Sequence, residues 1–130
     1  MAKKTQKQLK NALIHGKGYY YGTTIGSSFW RGYKNDNLFM RGDGELWLTR
    51  DVLYFRRYFT LDPIKIPTRA ITKIRVSHSH AGKFTLAPIV KIHWVKAEQE
   101  LVSGFLISKD NNELLLWFRK FQKVIKAKFL

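Results

Sequence analysis

Between Gly44 and Val76, apolar and polar residues alternate in short runs. Glu45-Leu46-Trp47-Leu48-Thr49 and Val52-Leu53-Tyr54-Phe55 meet at Arg50-Asp51, Ile64-Lys65-Ile66 stops at Pro67, and a fourth run covers residues 71–76. Period-two alternation over such short runs, broken by Asp and Pro, predicts an antiparallel β-meander with one face buried. With Leu46 and Leu48 inward, strand parity puts Trp47 and Thr49 on the other face. Leu53 and Phe55 likewise share a face, opposite Tyr54 and Arg56. Residues 77–83 read as a loop, and 89–95 as a strand with Val90, Ile92 and Trp94 on one face. Residues 97–100 form a polar turn, and 101–108 the last strand. About seven short strands with turns between them imply a sandwich or a partly open barrel.

After the strands the period changes. Leu114, Trp117, Phe118, Phe121, Val124 and Ile125 recur at three- and four-residue spacing, which predicts an amphipathic helix over about residues 111–128. Asp110 and Asn111 suit its N-cap, Glu113 its first turn, and the lysines its end. Ahead of the meander, residues 3–15 suit a short helix with Leu9, Ala12 and Leu13 on one side, ended by Gly16 and Gly18. The run from Tyr19 to Trp30, aromatic and punctuated by Gly and Ser, fits an edge strand or a loop over one end of the barrel. The chain therefore divides into a basic, aromatic-rich N-terminal extension, residues 1–37, and a main domain, residues 38–130.

Composition adds a partner class. In 130 residues there are 24 Lys and Arg against 9 Asp and Glu, a net charge of +15. Self-repulsion of that size does not help a fold, and it concentrates polyanions near the surface. The partners it points to are an anionic membrane, nucleic acid or an acidic protein. Hydrophobic residues make up 45% of the chain, so it buries a core and is not disordered. With no Cys, disulfides, thiolate catalysis and Cys-based zinc sites are excluded, and a reducing cytosol is a natural setting. No apolar run approaches the ~20 residues of a bilayer span. Ala12-Leu13-Ile14 is too short for the core of a signal peptide. These features suggest a cytoplasmic protein, at most peripheral to a membrane.

The meander also resembles a known family. Gly44, Leu46, Leu48, Thr49, Leu53 and Phe55, then Ile64, Ile66 and Pro67, then Ile71 and Ile74, followed by more strands and a C-terminal helix with a central Trp, are similar to GRAM and bacterial pleckstrin-homology-like (PH-like) domains. The resemblance spans roughly residues 38–126. It implies a mainly β fold with a C-terminal α-helix: a seven-stranded, bent antiparallel sheet, or partly open barrel, capped by that helix. On this fold lipid headgroup binding, peptide binding, self-assembly and scaffolding all occur, so the fold alone does not select a function.

Six basic residues are the candidates for binding anionic lipid: Arg50, Arg56, Arg57, Lys65, Lys73 and Arg75. Within the wider family, phosphoinositide binders place basic residues on the first two strands and the loop joining them. Taken as that loop, Arg50-Asp51 is too short to wrap a headgroup, and Asp51 adds a repelling charge. A diffuse basic face, at ~1 kcal/mol per well-placed cation, fits better. The alternative patch interleaves aromatics with cations: Trp30, Arg31, Tyr33 and Lys34. Stacking platforms beside basic residues suit single-stranded RNA. The same aromatics also suit covering the barrel end.

His78, His80 and His93 lack a carboxylate or Cys to complete a ligand set, so no metal and no cofactor is expected. No nucleophile elbow, P-loop or dinucleotide fingerprint is present. The sequence therefore predicts a non-catalytic binding module that engages an anionic membrane surface or an acidic partner through a basic face. Single-stranded nucleic-acid binding and a self-assembling scaffold are the alternatives, and a homo-oligomer is compatible with any of these.

Overall fold

The computed structural model describes residues 11–26, 41–59, 63–80, 83–125 and 128–129. Its strands are β1 (Ile14–Ile25), β2 (Gly42–Leu48), β3 (Val52–Arg57), β4 (Ile64–Pro67), β5 (Ile71–His80), β6 (Lys83–Lys96) and β7 (Gln99–Leu106). Helix α1 (Asn111–Val124) follows, then the two-residue β8 (Lys128–Phe129). The sheet order is β4-β3-β2-β1-β7-β6-β5-β8, antiparallel throughout except where β8 runs parallel to β5. Seven antiparallel strands in an open sheet with one C-terminal helix are the architecture that the family resemblance implies.

One face of the sheet carries the core. Leu46 and Leu48, Leu53 and Phe55, and Ile64 and Ile66 from β2–β4 meet Ile74, Val90, Ile92, Leu101 and Phe105 from β5–β7. Leu114, Trp117, Phe121 and Ile125 of α1 join the same cluster. The alternation read in the meander is the alternation of burial in β2 and β4, and β3 departs from it at Tyr54, which is buried on the other face. The helix begins where its cap predicts, with the Asp110 carboxylate accepting from Asn112 N–H at 2.9 Å. It ends at Val124, short of the expected residue 128, and Ile125 turns extended and drops into the core.

Polar groups inside the core are paired. Tyr20 Oη bonds to Thr23 Oγ1, which lies 2.6 Å from Ser103 Oγ, and Ser103 accepts from Trp94 Nε1 at 3.0 Å. Among the described residues no buried side-chain nitrogen or oxygen lacks a partner.

Several local expectations change. Of the helix expected over residues 3–15, residues 3–10 lie outside the described residues, and Ile14 and His15 open β1 instead. Of the segment from Tyr19 to Trp30, expected to be an edge strand or a loop, residues 27–30 lie outside the described residues, and residues 19–25 belong to β1, which pairs with β2 on one side and β7 on the other. Gly18 is not a helix stop. A Cβ there would meet Leu106 O at 2.5 Å and Leu46 Cδ1 at 2.6 Å, so glycine allows β7 to close on β1. Pairing on both sides overrides the weak apolar pattern of this strand. Similarly, Ser77 to His80 continue β5 rather than forming a loop, beyond register shifts at Ile71/Lys73 and Ser77/Ser79. The β6–β7 turn is tighter than expected: Lys96 pairs with Gln99, and Ala97 and Glu98 take φ of 49° and 65°.

Candidate anion-binding surface

The strand order separates the six basic residues into two groups. Arg50 is exposed at the turn between β2 and β3, where Thr49 Oγ1 accepts from Val52 N–H at 3.0 Å and Thr68 Oγ1 donates to Arg50 O at 2.9 Å. Arg56 and Lys65 are exposed on the face away from the core. Arg56 Cζ lies 5.7 Å from the centre of the Trp47 ring, and Lys65 Nζ lies 5.9 Å from that of Tyr54. Arg57 points the other way. It shares the core-side parity of Leu53 and Phe55, is 8% exposed, and lies near Tyr20 and Gly42. Lys73 and Arg75 stand on β5, in the far half of the strand order.

Acidic residues run through the first group. The cross-strand row Lys17↔Glu45↔Arg56 alternates in sign, Asp51 adjoins Arg50, and Asp43 lies one pair along from Glu45. Glu45 also binds His15 Nε2 at 2.7 Å, and the His15 ring stacks on Trp47 with centroids 4.9 Å apart. Opposite charges facing each other across strands stabilise a sheet and cancel its far field. A shallow depression of about 460 Å³ nearby, lined by Lys17, Tyr19, Asp43, Tyr58 and Lys109, is mixed in sign in the same way.

The second group is not balanced. Arg75 is directly opposite Lys91 on β6, and Lys73 is opposite His93. Parity places all four on the face away from Ile74, Val90 and Ile92. Arg75 Nε donates to His93 Nε2 at 2.9 Å. Since a guanidinium only donates, His93 Nε2 accepts, and the ring proton sits on Nδ1, 3.3 Å from Glu100 Oε1. His93 is 1% exposed, and burial, together with Lys73 and Arg75, pushes its pKa down. Burial also lowers the pKa of Lys91, and the adjacent Arg75 charge lowers it further. The carboxylate that contacts this cluster, Glu100, is engaged by His93 and not by any of the three cations.

Lys91 was missed by sequence reasoning. The signal was present in the alternation Val90-Lys91-Ile92-His93-Trp94, but what makes Lys91 notable is its register against Arg75. The three histidines do not converge: His78 is exposed, His93 lies between Arg75 and Glu100, and His80 Nε2 binds Gly22 O at 2.9 Å. Among the described residues no three His, Cys, Asp or Glu side chains gather to hold a metal. Trp30, Arg31, Tyr33 and Lys34 lie outside the described residues.

The strand count corrects one further expectation. Among the described strands Arg50-Asp51 joins the second and third, and residues 26–41 separate the first two. The short hairpin therefore carries no argument about headgroup recognition between the first and second strands.

An open antiparallel sheet of seven strands with a C-terminal helix over its core face is the PH-like fold. The family model described as "Bacterial PH domain-like" matches residues 2–122, and the chain belongs to that family. The match takes in β1 and the segment before it together with the meander. Comparison with curated proteins finds no match. PH-like domains are in general binding modules, and among the described residues no helix is long and apolar enough to cross a membrane.

Proposed function

We propose that this chain is a non-catalytic PH-like binding module that docks on an anionic membrane surface from the cytoplasmic side, through the outer face of β5 and β6. One observation supports this over the six-residue face as a whole. Lys73, Arg75 and Lys91 share that face without an acid between them, whereas Arg50 and Arg56 have Asp51 and Glu45 as neighbours. Each cation near an anionic bilayer contributes ~1 kcal/mol, so three contribute about 3 kcal/mol, within reach of salt screening. The net charge of +15 adds long-range attraction without fixing an orientation.

Sedimentation with vesicles tests this reading, using neutral vesicles, vesicles rich in phosphatidylserine, and a salt series. The protein should pellet with the anionic vesicles at low salt and be released as salt rises. Lys73→Glu should weaken pelleting strongly, and Arg56→Glu much less. Equal loss in the two variants, or no preference for anionic vesicles at low salt, refutes the β5–β6 face. Single-stranded RNA is titrated alongside; tighter binding to RNA than to anionic vesicles at matched salt would replace the membrane reading by a nucleic-acid one.

A further inference from the structure

We propose that Arg75, Lys91 and Lys73 form a discrete site for a doubly charged, tetrahedral phosphate monoester, with His93 and Glu100 as the residues that position Arg75. This rests on the reading of the β5–β6 face as anion-binding and names the chemistry that face selects.

Three features separate this cluster from ordinary surface basicity. First, Arg75 and Lys91 are directly opposed on neighbouring strands, an arrangement that destabilises a sheet unless something neutralises it. Second, Lys91 is only partly exposed, so its charge has lost hydration as well as facing another cation. Third, the Arg75 guanidinium is oriented. Its Nε–H is held at 2.9 Å by a buried imidazole, itself held by Glu100, which leaves both Nη groups to a ligand. A fixed planar fork beside a point charge is the donor set that binds phosphate oxygens, with Arg supplying paired hydrogen bonds and Lys a single charge.

The charge balance selects the ligand class. A singly charged carboxylate or phosphodiester would leave two of the three cations uncompensated, whereas a monoester dianion leaves one and accepts hydrogen bonds from all three. Val102 and Gly104 are opposite His93 and Lys91 on β7, so that flank adds no competing charge. The monoester could be a lipid headgroup or a soluble metabolite, and the chemistry of recognition is the same.

The test uses thermal melts of the full chain with inorganic phosphate and with glycerol 3-phosphate, against sodium chloride at matched ionic strength. Saturable stabilisation by the phosphates alone is expected. Lys91→Met should melt higher than the wild type without phosphate, because the repulsion is gone, and should lose at least tenfold in phosphate affinity. Arg75→Lys keeps the charge and loses the fork with its His93 anchor, and should also lose about tenfold. Vesicles of phosphatidic acid, a monoester, are compared with vesicles of phosphatidylglycerol, a diester, at equal surface charge. Preference for phosphatidic acid that is lost in Lys91→Met assigns a lipid source, and phosphate binding without that preference assigns a soluble one. If phosphate stabilises the wild type no more than chloride does, or stabilises Lys91→Met equally, the site is refuted. Salt-sensitive binding to anionic vesicles in that case leaves the docking surface standing without the phosphate site.

Discussion

His80 makes this fold sensitive to acid, and the structure sets both the window and the size of the effect. Its imidazole lies on β7 over Gly104, is 1% exposed, and has Nε2 at 2.9 Å from the carbonyl of Gly22. A carbonyl only accepts, so Nε2 carries the proton of the neutral ring. Burial is the main reason its pKa falls from 6.5 to about 4; the Gly22 carbonyl opposes the shift, while Lys91, Arg41 and Arg75 reinforce it. Above pH 6.5 the ring is neutral folded and unfolded, and His80 has no effect on the balance. As pH falls from 6.5 to about 4, the unfolded chain takes up the proton first and stability is lost. At ~1.4 kcal/mol per pH unit, that window corresponds to about 3 kcal/mol. A chain of this length gains roughly 0.27 kcal/mol/K of unfolding entropy, so Tm moves by about 4 °C per kcal/mol, or about 12 °C here.

Circular-dichroism melts from pH 7.5 to pH 4 on the wild type and His80→Gln measure this. Gln retains an N–H for Gly22 and has no titration, while every other ionisable group is common to the two proteins and cancels in the difference. The wild type should lose about 12 °C more than the variant across the window. Parallel Tm curves would show that His80 protonates in the folded protein as easily as in the unfolded one, and would refute the buried neutral ring.

Other substitutions probe the contacts that build the sheet and seat the helix. Gly104→Ala places a Cβ 2.7 Å from the His80 ring, forcing it off Gly22, at a cost of about 2–3 kcal/mol. The same change in a His80→Ala background should cost far less, a coupling readable from denaturant melts of the four proteins. Trp117→Ala empties a fully buried site between α1 and the sheet and should cost about 3–5 kcal/mol, or roughly 11–18 °C in Tm. Asp110→Ala removes the carboxylate that caps α1 and should lower Tm by about 4 °C, for a cost of ~1 kcal/mol.

The elements legible in the sequence are those whose own side chains bury them. Strands β2 and β4 alternate in burial because one face meets the core and the other is more exposed, β3 departs from this at the buried Tyr54, and Pro67 ends the last of them. Helix α1 is legible because Leu114, Trp117 and Phe121 recur at helical spacing behind a capping Asp110. Strand β1 was not legible. Its Gly16 and Gly18 read as breaks in a helix, but they are there because the Trp117 ring and the β7 backbone pack against them. The end of β5 was hidden for a related reason. Ser77-His78-Ser79-His80 is polar like a loop, yet a register shift turns His80 onto the outer face of β7, where glycine makes room for it. In both cases the deciding contact comes from a strand distant in sequence, and no local pattern encodes it.

The charge follows the same logic. A net charge of +15 gives no location, because cations spread evenly over a surface and cations gathered in one place sum alike. Register distinguishes them. Across β1, β2 and β3 the row Lys17↔Glu45↔Arg56 alternates in sign, so on these strands an acid does stand between facing cations. Across β5 and β6 the facing pair is Arg75↔Lys91, with Lys73 beside His93, and the nearest acid is spent on orienting the imidazole that holds Arg75. The same sheet therefore holds one neutralised row and one repulsive cluster. The repulsive cluster also carries the more elaborate support: a buried His, a carboxylate behind it and a fixed guanidinium in front. Either sheet would gain stability by losing Lys91, but only one that uses these cations would lose a ligand with it, and melts of the wild type and Lys91→Met with and without phosphate separate the two.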